Sequence, residues 1–347
     1  MALLMVQGHV FAALLSPAAR AASLYQLQLV VHGSTAPGFL FASGFVAGLP
    51  RAPLSLKASL RRARRLLFIL GVGYALHLPY FSLAKTLQAS AGERALLYSC
   101  DALQVIAVTQ LFALALQWSF GTAWTGAAGA MTLIVLASGP WVWATGLGAR
   151  VTPLLGAYLD AASGSHFPIF PYAAFVLAGT LAGAELGRQD AAIRLWRGLW
   201  SAGALLLSGA LLAFGLWGRV DFWAVSPGYV LLRLAGLILI LLATERAAAA
   251  PLAGVRALAL LGHETLLVFC LHLYLLFGGV FGAAPLAAYA ERLGFGGALL
   301  ALLAMLPLLY AAAWTWHALK ARAPHGASLI LAFLTTAFVY DFLTRPW

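Results

Sequence analysis

An all-α, polytopic integral membrane protein is what this sequence predicts, and three observations carry that expectation. Apolar residues make up 63% of the 347 and charged residues only 9%, against roughly 45–50% and about 25% in soluble domains. Mean hydropathy is +0.92. Apolar runs of about 20 residues recur along the whole chain, long enough at about 1.5 Å per residue to cross a hydrocarbon core about 30 Å thick. A water-soluble fold has no room to hide so much apolar surface, so lipid is the solvent.

On that ruler the chain carries about eleven transmembrane helices (ten to twelve), and residues 1–347 read as a single domain with no repeat, low-complexity tail or soluble module. The expected spans are 2–16, 34–50, 66–84, 100–119, 122–140, 168–187, 198–217, 228–244, 257–281, 295–317 and 327–343. No Lys or Arg precedes the first run, and Gln7 and His9 interrupt it, so it reads as a span and not as a cleaved secretory signal. The run starts at Met1 itself, which leaves a true start upstream open. Only "SFGT" stands between the fourth and fifth spans. Gly44 and Gly48 form one small-residue ridge, and Gly179, Gly183 and Gly187 another, as close helix packing requires. In the long segment 141–167, "VTPLLGAYLDAA" reads as a short helix over the membrane face.

Charge position matters more than the net charge of +11. With the N-terminus inside, the inner loops 51–65, 188–197, 245–256 and 318–325 hold thirteen Lys and Arg, the outer segments hold seven, and Arg233 lies within a span. That alternation is the signature of membrane orientation and argues against a nucleic-acid groove. It predicts a cytoplasmic N-terminus and an extracytoplasmic C-terminus. Cys100 and Cys270 lie inside apolar runs and read as packing residues, with neither a disulfide nor a metal framework implied.

Ionisable groups within spans cost several kcal/mol unless paired or in a wet cavity, so each is a functional candidate. His9 sits in the first span, His32 at the outer mouth of the second and His77 in the third; Asp101 and Gln104 open the fourth. His166 precedes "FPIFP", Glu264 and His272 lie in the ninth span, and Asp341 is near the end of the last. Sorted by depth, most of them point to one polar cavity open to the outside. Each histidine has a plainer reading as a structural hydrogen-bond partner, and Asp101 has one as a helix cap. Gln104, three residues on from Asp101, shares its helix face and favours a polar patch. Glu264 and His272 stand about 12 Å apart along a helix, too far to pair.

His32 has a distinctive setting in "HGSTAPGFLFASGF". Gly33 frees the backbone beside it, and Ser34 and Thr35 are placed to cap the helix that Pro37 helps begin. An imidazole between water and the bundle favours its neutral form, which a general base requires.

"ALLMVQGHVFAALL" followed by "HGSTAPGFLFASGF" resembles the start of the heparan-alpha-glucosaminide N-acetyltransferase family and its bacterial relatives, with Pro37, Phe39, Phe41 and Gly44 on the family's Pro-x-Phe-x-Phe-x-x-Gly pattern. "CDALQVIAVTQL" (100–111), "FPIFPYAAFVLAGTLAG" (167–183) and "LLGHETLLVFCLHLYLL" (260–276) are similar to three later blocks, in family order; the last is shared with wider transmembrane acyltransferases. The resemblance implies a transmembrane acyltransferase-like bundle that moves an acyl group from cytosolic acyl-CoA, acetyl-CoA first, to an acceptor on the outer side. It also implies a catalytic histidine just ahead of the Pro-x-Phe block, where His32 stands. The animal enzymes carry an acidic residue between that histidine and the proline; here Gly33, Ser34 and Thr35 occupy the interval.

The expected site therefore has His32 as base or acyl carrier, with His9 as second candidate and Asp101 orienting it or the acceptor. Gln104, His77, His166 and His272 are expected to bind substrate. Arg61, Arg62, Arg64 and Arg65 are expected to meet the CoA phosphates, with topology anchoring as their other reading. The partners are membrane lipid, acyl-CoA and an acceptor amine or hydroxyl on a glycan, amino sugar or lipid; no metal and no nucleic acid is implied. The rival function is a multi-pass transporter or flippase for a lipid or glycan. A membrane scaffold ranks below both, since it has no use for so many intramembrane histidines.

Overall fold

The computed structural model describes residues 1–50, 55–248, 253–279 and 284–346. Every named element is a helix. The chain opens with α1 (Ala2–Leu14), α2 (Pro17–Ala21), α3 (Ser23–His32), α4 (Thr35–Gly48) and α5 (Leu56–Ala75). Two short helices, α6 (Leu83–Leu87) and α7 (Ala91–Tyr98), lead to α8 (Ala102–Phe120), α9 (Trp124–Thr145), α10 (Pro153–Leu159) and α11 (Ile169–Leu186). Then come α12 (Ala191–Gly215), α13 (Pro227–Ala248), α14 (Ala253–His263), α15 (Thr265–Phe277), α16 (Phe295–Arg322) and α17 (Pro324–Thr344).

Local chemistry sets many of these boundaries. Ser16 starts α2 by accepting from the Ala19 N–H, with Pro17 in the first turn. Ser55 caps α5 through Ala58 N–H, and Ser90 with Glu93 forms a capping box on α7. Gly121, at φ +53°, separates α8 from α9, which are in contact with each other. The segment 153–159 is helical, as expected from "VTPLLGAYLDAA".

Among the described residues, seven helical runs are long and apolar enough to cross a membrane: Ser23–Gly48, Ala102–Thr145, Ile169–Leu186, Ala191–Gly215, Pro227–Ala248, Phe295–Arg322 and Pro324–Thr344. A bent pair, α14 with α15 at 85°, makes an eighth. The chain is thus an all-helical, polytopic integral membrane protein, but the count of about eleven is not confirmed. The differences have physical causes. α1 has only 13 residues. The run 100–140 counts once in that tally, as Ala102–Thr145, although Gly121 divides it. The expected span 66–84 ends at Ala75 and gives way to turns, because Pro79 and the positive-φ residues Tyr80 and Phe81 break it. The basic segment 51–65 is not a loop: from Leu56 onward it is the first half of α5, and residues 51–54 lie outside the described residues. Basic ends likewise continue α16 to Arg322 and begin α12 at Ala191, since Ala, Leu and Arg are all strong helix formers.

The chain divides into two compact units, one of residues 1–35, 79–88 and 247–347, the other of residues 36–78 and 89–246. In the first, α1 packs against α3, α15 and α16, and α16 also packs against α14 and α17. The end of α1 is tied down by backbone bonds from Glu291 N–H to Ala13 O and from Leu293 N–H to Leu14 O, at 3.0 and 2.9 Å. A core of Leu15, Tyr25 and Ala298 closes that end.

In the second unit α11 is the hub, packed against α8, α9, α10 and α12. The glycine ridges meet here. A Cβ on Gly44 would strike the Val176 carbonyl, one on Gly179 the Phe41 carbonyl, and one on Gly183 the Phe45 carbonyl, so α4 and α11 touch backbone to backbone. Phe175, Val176 and Leu177 are completely or almost completely buried in that hub.

Candidate functional site

The polar residues singled out by sequence fall into hydrogen-bonded networks within each unit. In the first unit, packing of α3 and α15 on α1 assembles three histidines. His9 Nδ1 lies 2.6 Å from His272 Nε2, and the two rings are stacked with centroids 5.0 Å apart. His272 is fully buried, and its Nδ1 lies 2.8 Å from the Val268 carbonyl, one turn back on α15. His32 presents its ring edge-on to His9 with centroids 6.3 Å apart. That ring lies across α1 in the notch left by Gly8, where any Cβ would overlap it, and it also meets the Leu4 carbonyl. The Nδ1 atom of His32 is buried with no hydrogen-bond partner.

One expectation about this site is corrected. His32 closes α3 and Thr35 opens α4, but the Thr35 hydroxyl is buried without a partner and so caps nothing. Gln28, one turn before His32, donates to Gln7 Oε1 at 3.1 Å across the α1–α3 seam, while its own Oε1 is unpartnered. Unsatisfied polar atoms thus recur at positions 28, 32 and 35, through the end of α3 and the start of α4.

The second unit's network centres on Asp101. It stands at the N-cap position of α8 yet makes no capping bond. Instead His77 Nε2–H donates to Oδ2 at 2.9 Å and His166 Nδ1–H donates to Oδ1 at 3.0 Å. His166 is held there because the strands of loop on either side of it are fixed: Cys100 N–H donates to Ser165 Oγ at 2.8 Å and Phe167 N–H to Cys100 O at 2.9 Å. On its other side His77 Nδ1 meets Ser99 Oγ at 3.3 Å and Gln104 Nε2 at 3.5 Å. Burial alone would raise the Asp101 pKa, but the His166 and His77 hydrogen bonds and their charges outweigh it and hold the carboxyl well below the usual range. The hydrogen bond to Asp101 in turn raises His166 above an ordinary histidine, against the opposing effect of its burial.

Two partners escaped sequence reasoning. Glu264, 4% exposed at the break between α14 and α15, pairs with His317 Nδ1 at 2.8 Å and Lys320 Nζ at 2.6 Å. The signal was a His and a Lys three residues apart at the end of an apolar run. Arg61, Arg64 and Arg65 are exposed along α5, and Arg62 is half-buried there. Both cysteines are free. Among the described residues, no three His, Cys, Asp or Glu side chains converge as a metal site would need.

The family model described as "Heparan-alpha-glucosaminide N-acetyltransferase, catalytic" matches residues 1–215, well over half of the 347. The chain belongs to that family. No curated protein and no solved structure matches it. As a member of the heparan-alpha-glucosaminide N-acetyltransferase catalytic family it is a transmembrane acetyltransferase by descent. The matched stretch contains His9, His32, His77, Asp101, Gln104 and His166. His272, Glu264, His317 and Lys320 lie beyond it, so one partner of the His9 pair comes from outside the matched residues.

Proposed function

We propose that the protein moves an acetyl group from cytosolic acetyl-CoA, or a longer acyl group from its CoA thioester, to an amine or hydroxyl acceptor on the extracytoplasmic side. The observation that carries the reading is the buried, unpartnered Nδ1 of His32 in a chain of this family. Burying a polar atom without a hydrogen bond costs about 1–3 kcal/mol, and a nitrogen kept that way is suited to meet a substrate. His32 either accepts the acceptor's proton while the acyl–sulfur bond breaks, or attacks the thioester itself, expels the CoA thiolate and carries the acyl group on to the acceptor. His9 is the second imidazole of the same site. Asp101, with Gln104, His77 and His166, orients the acceptor, and Arg61, Arg62, Arg64 and Arg65 meet the phosphates of CoA. The whole chain serves as one catalytic domain in the bacterial inner membrane, with its N-terminus cytoplasmic and its C-terminus outside. Among acceptors, a glycan, an amino sugar and a lipid remain in play.

The test is His32→Ala in proteoliposomes supplied with radiolabelled acetyl-CoA and a panel of amine and hydroxyl acceptors. Transfer falls by about 10²–10⁴-fold if His32 is the base. Survival of activity within a few-fold removes His32 from the chemistry and moves the reading to His9.

A transporter or flippase is the second reading, and one observation favours it. α14 and α15 form a span broken by 85° with the buried Glu264 at the break, the kind of discontinuous helix that coordinates cargo in transporters. Substrate movement in sealed vesicles, independent of any CoA thioester, would select it.

A further inference from the structure

We propose that His166 is the catalytic base that takes the acceptor's proton, at Nε2, and that Asp101 and His77 are positioning residues that hold its ring in place. The catalytic half of this proposal rests on the acyltransfer reading above, in the form in which His32 carries the acyl group; the hydrogen-bond half does not.

The network has one carboxylate and two imidazoles, all within the second unit, and its bonds give the two rings different tasks. A carboxylate only accepts, so the nitrogens facing Asp101 carry hydrogens: His77 Nε2 at 2.9 Å and His166 Nδ1 at 3.0 Å. The second nitrogen of His77, Nδ1, lies against Ser99 Oγ and Gln104 Nε2, and its side chain is only 18% exposed. With both nitrogens engaged, His77 has none to offer a substrate. His166 is the opposite case. Its side chain is 70% exposed, and its Nε2 meets no hydrogen-bond partner among the described residues. When the ring is neutral its hydrogen sits on Nδ1, so the lone pair is on the open nitrogen.

This is the logic of a hydrolytic triad, in which a carboxylate fixes the tautomer and orientation of an imidazole and stabilises the imidazolium once the proton arrives. His77 keeps the carboxylate from turning away, and the residues on both sides of His166, Ser165 and Phe167, are tied to Cys100, next to Asp101. Proton uptake at His166 Nε2 leaves the bond from Nδ1–H to Asp101 in place and strengthens it, because both partners are then charged. Cys100 is fully buried beside Asp101, which pushes its thiol up and keeps it neutral. In the transfer step the acceptor N–H or O–H bond breaks as its proton passes to His166 Nε2. The acceptor bonds to the acyl carbon, and the acyl–imidazole bond opens with its electron pair returning to the imidazole nitrogen. The proton then leaves His166 for water.

Three variants test the roles. His166→Ala lowers kcat by about 10²–10⁴-fold, the usual worth of a general base, and added imidazole restores rate in proportion to its concentration, which a merely structural residue does not permit. His77→Phe keeps a ring but no donor and lowers kcat by about 10–100-fold, the range seen when a supporting hydrogen-bond partner is removed, with the acceptor KM within about twofold. Asp101→Asn keeps the shape and removes the charge, so the rise of kcat/KM with pH moves to lower pH as His166 gives up its proton more readily. A further readout needs no activity. Diethyl pyrocarbonate reacts with unprotonated imidazole, and mass spectrometry of the full chain in nanodiscs follows the modification of His166 against pH. Its midpoint should lie above about 6.5, the value of an unperturbed histidine, and should fall in Asp101→Asn. The proposal is overturned if His166→Ala keeps its rate within a few-fold, if imidazole restores nothing, if His77→Phe raises KM while kcat holds, or if Asp101→Asn leaves the modification midpoint unchanged. Should the unaltered protein transfer no acyl group at all, the acyltransfer reading fails by itself, and the modification midpoints still decide whether Asp101 holds the His166 proton.

Discussion

Gly8→Ala adds one carbon on α1, in the notch that the His32 ring fills, and the structure makes its consequence quantitative. A Cβ at position 8 would overlap Cε1 and Nδ1 of His32 and lie 2.5 Å from its Nε2. Ordinary van der Waals contact begins near 3.4 Å, so even the farthest of the three ring atoms must retreat by about 1 Å. Misplacing a reacting group by about that much typically costs about 10²-fold in rate. Stability changes little by comparison: alanine gains about 1 kcal/mol over glycine in a helix, while overpacking costs about 1–3 kcal/mol. The expected outcome is a loss of about two orders of magnitude in acetyl transfer with a folded, extractable protein and a modest shift in Tm. Gly203→Ala, on α12 with nothing within 4 Å of its added carbon, is the control and keeps full activity. A Gly8→Ala protein with full activity and native stability would refute the placement of His32 on α1 as the determinant of the site.

Three other outcomes follow from the same geometry. The His166–Asp101 latch should depend on pH with a definite sign: Asp101, depressed, contributes stability above a pH of about 4 and loses it in acid, whereas His166, raised, contributes fully below about 6.5 and loses its charge contribution as pH climbs through its higher folded value. Amide exchange over residues 161–168, corrected for intrinsic rate, should therefore quicken as pH climbs through that folded value, and His166→Asn should flatten the dependence; an unchanged profile in that variant sinks the latch. Lys320→Met should destabilise the protein by about 1–2 kcal/mol, less than the roughly 3–5 kcal/mol of a fully buried pair because Lys320 is 43% exposed. Glu264→Gln in the same chain should restore part of the loss, and additive losses would show that the pair does not hold the broken span. For the topology, a cysteine placed at Ala161 should be labelled by an impermeant reagent from outside and one at Ala58 should not; the reverse pattern inverts the proposed orientation.

How much of this was legible in the sequence depends on the kind of interaction. The membrane class follows from composition, and the glycine ridges from spacing, because both are local properties of the chain. His9, His32, Asp101 and His272 stood out for the same reason: an ionisable group in an apolar run is conspicuous without any knowledge of its partner. The partners themselves were not legible. His9 and His272 are 263 residues apart, and only the packing of α15 on α1 brings them together. Asp101 illustrates a half-success, since it does occupy an N-cap position while two imidazoles, His77 from 24 residues before and His166 from 65 after, take its oxygens. The span count suffered for a different reason. Hydropathy sees an apolar run but not whether it stays straight, and the breaks at Gly121, Pro79 and Glu264 are backbone events that a hydropathy ruler passes over.

The two networks also differ in what anchors their imidazoles. His272 ends on a backbone carbonyl, a neutral acceptor, so the His272–His9 chain orients without supplying negative charge. His77 and His166 end on a carboxylate, and its hydrogen bond to His166 raises the pKa of that ring. Asp101→Asn removes the charge while leaving an acceptor oxygen, so it should lower the His166 pKa from its raised value. Histidine ¹⁵N spectra recorded against pH read that shift directly, and a His166 titration unchanged in Asp101→Asn would show that the carboxylate is not what raises it.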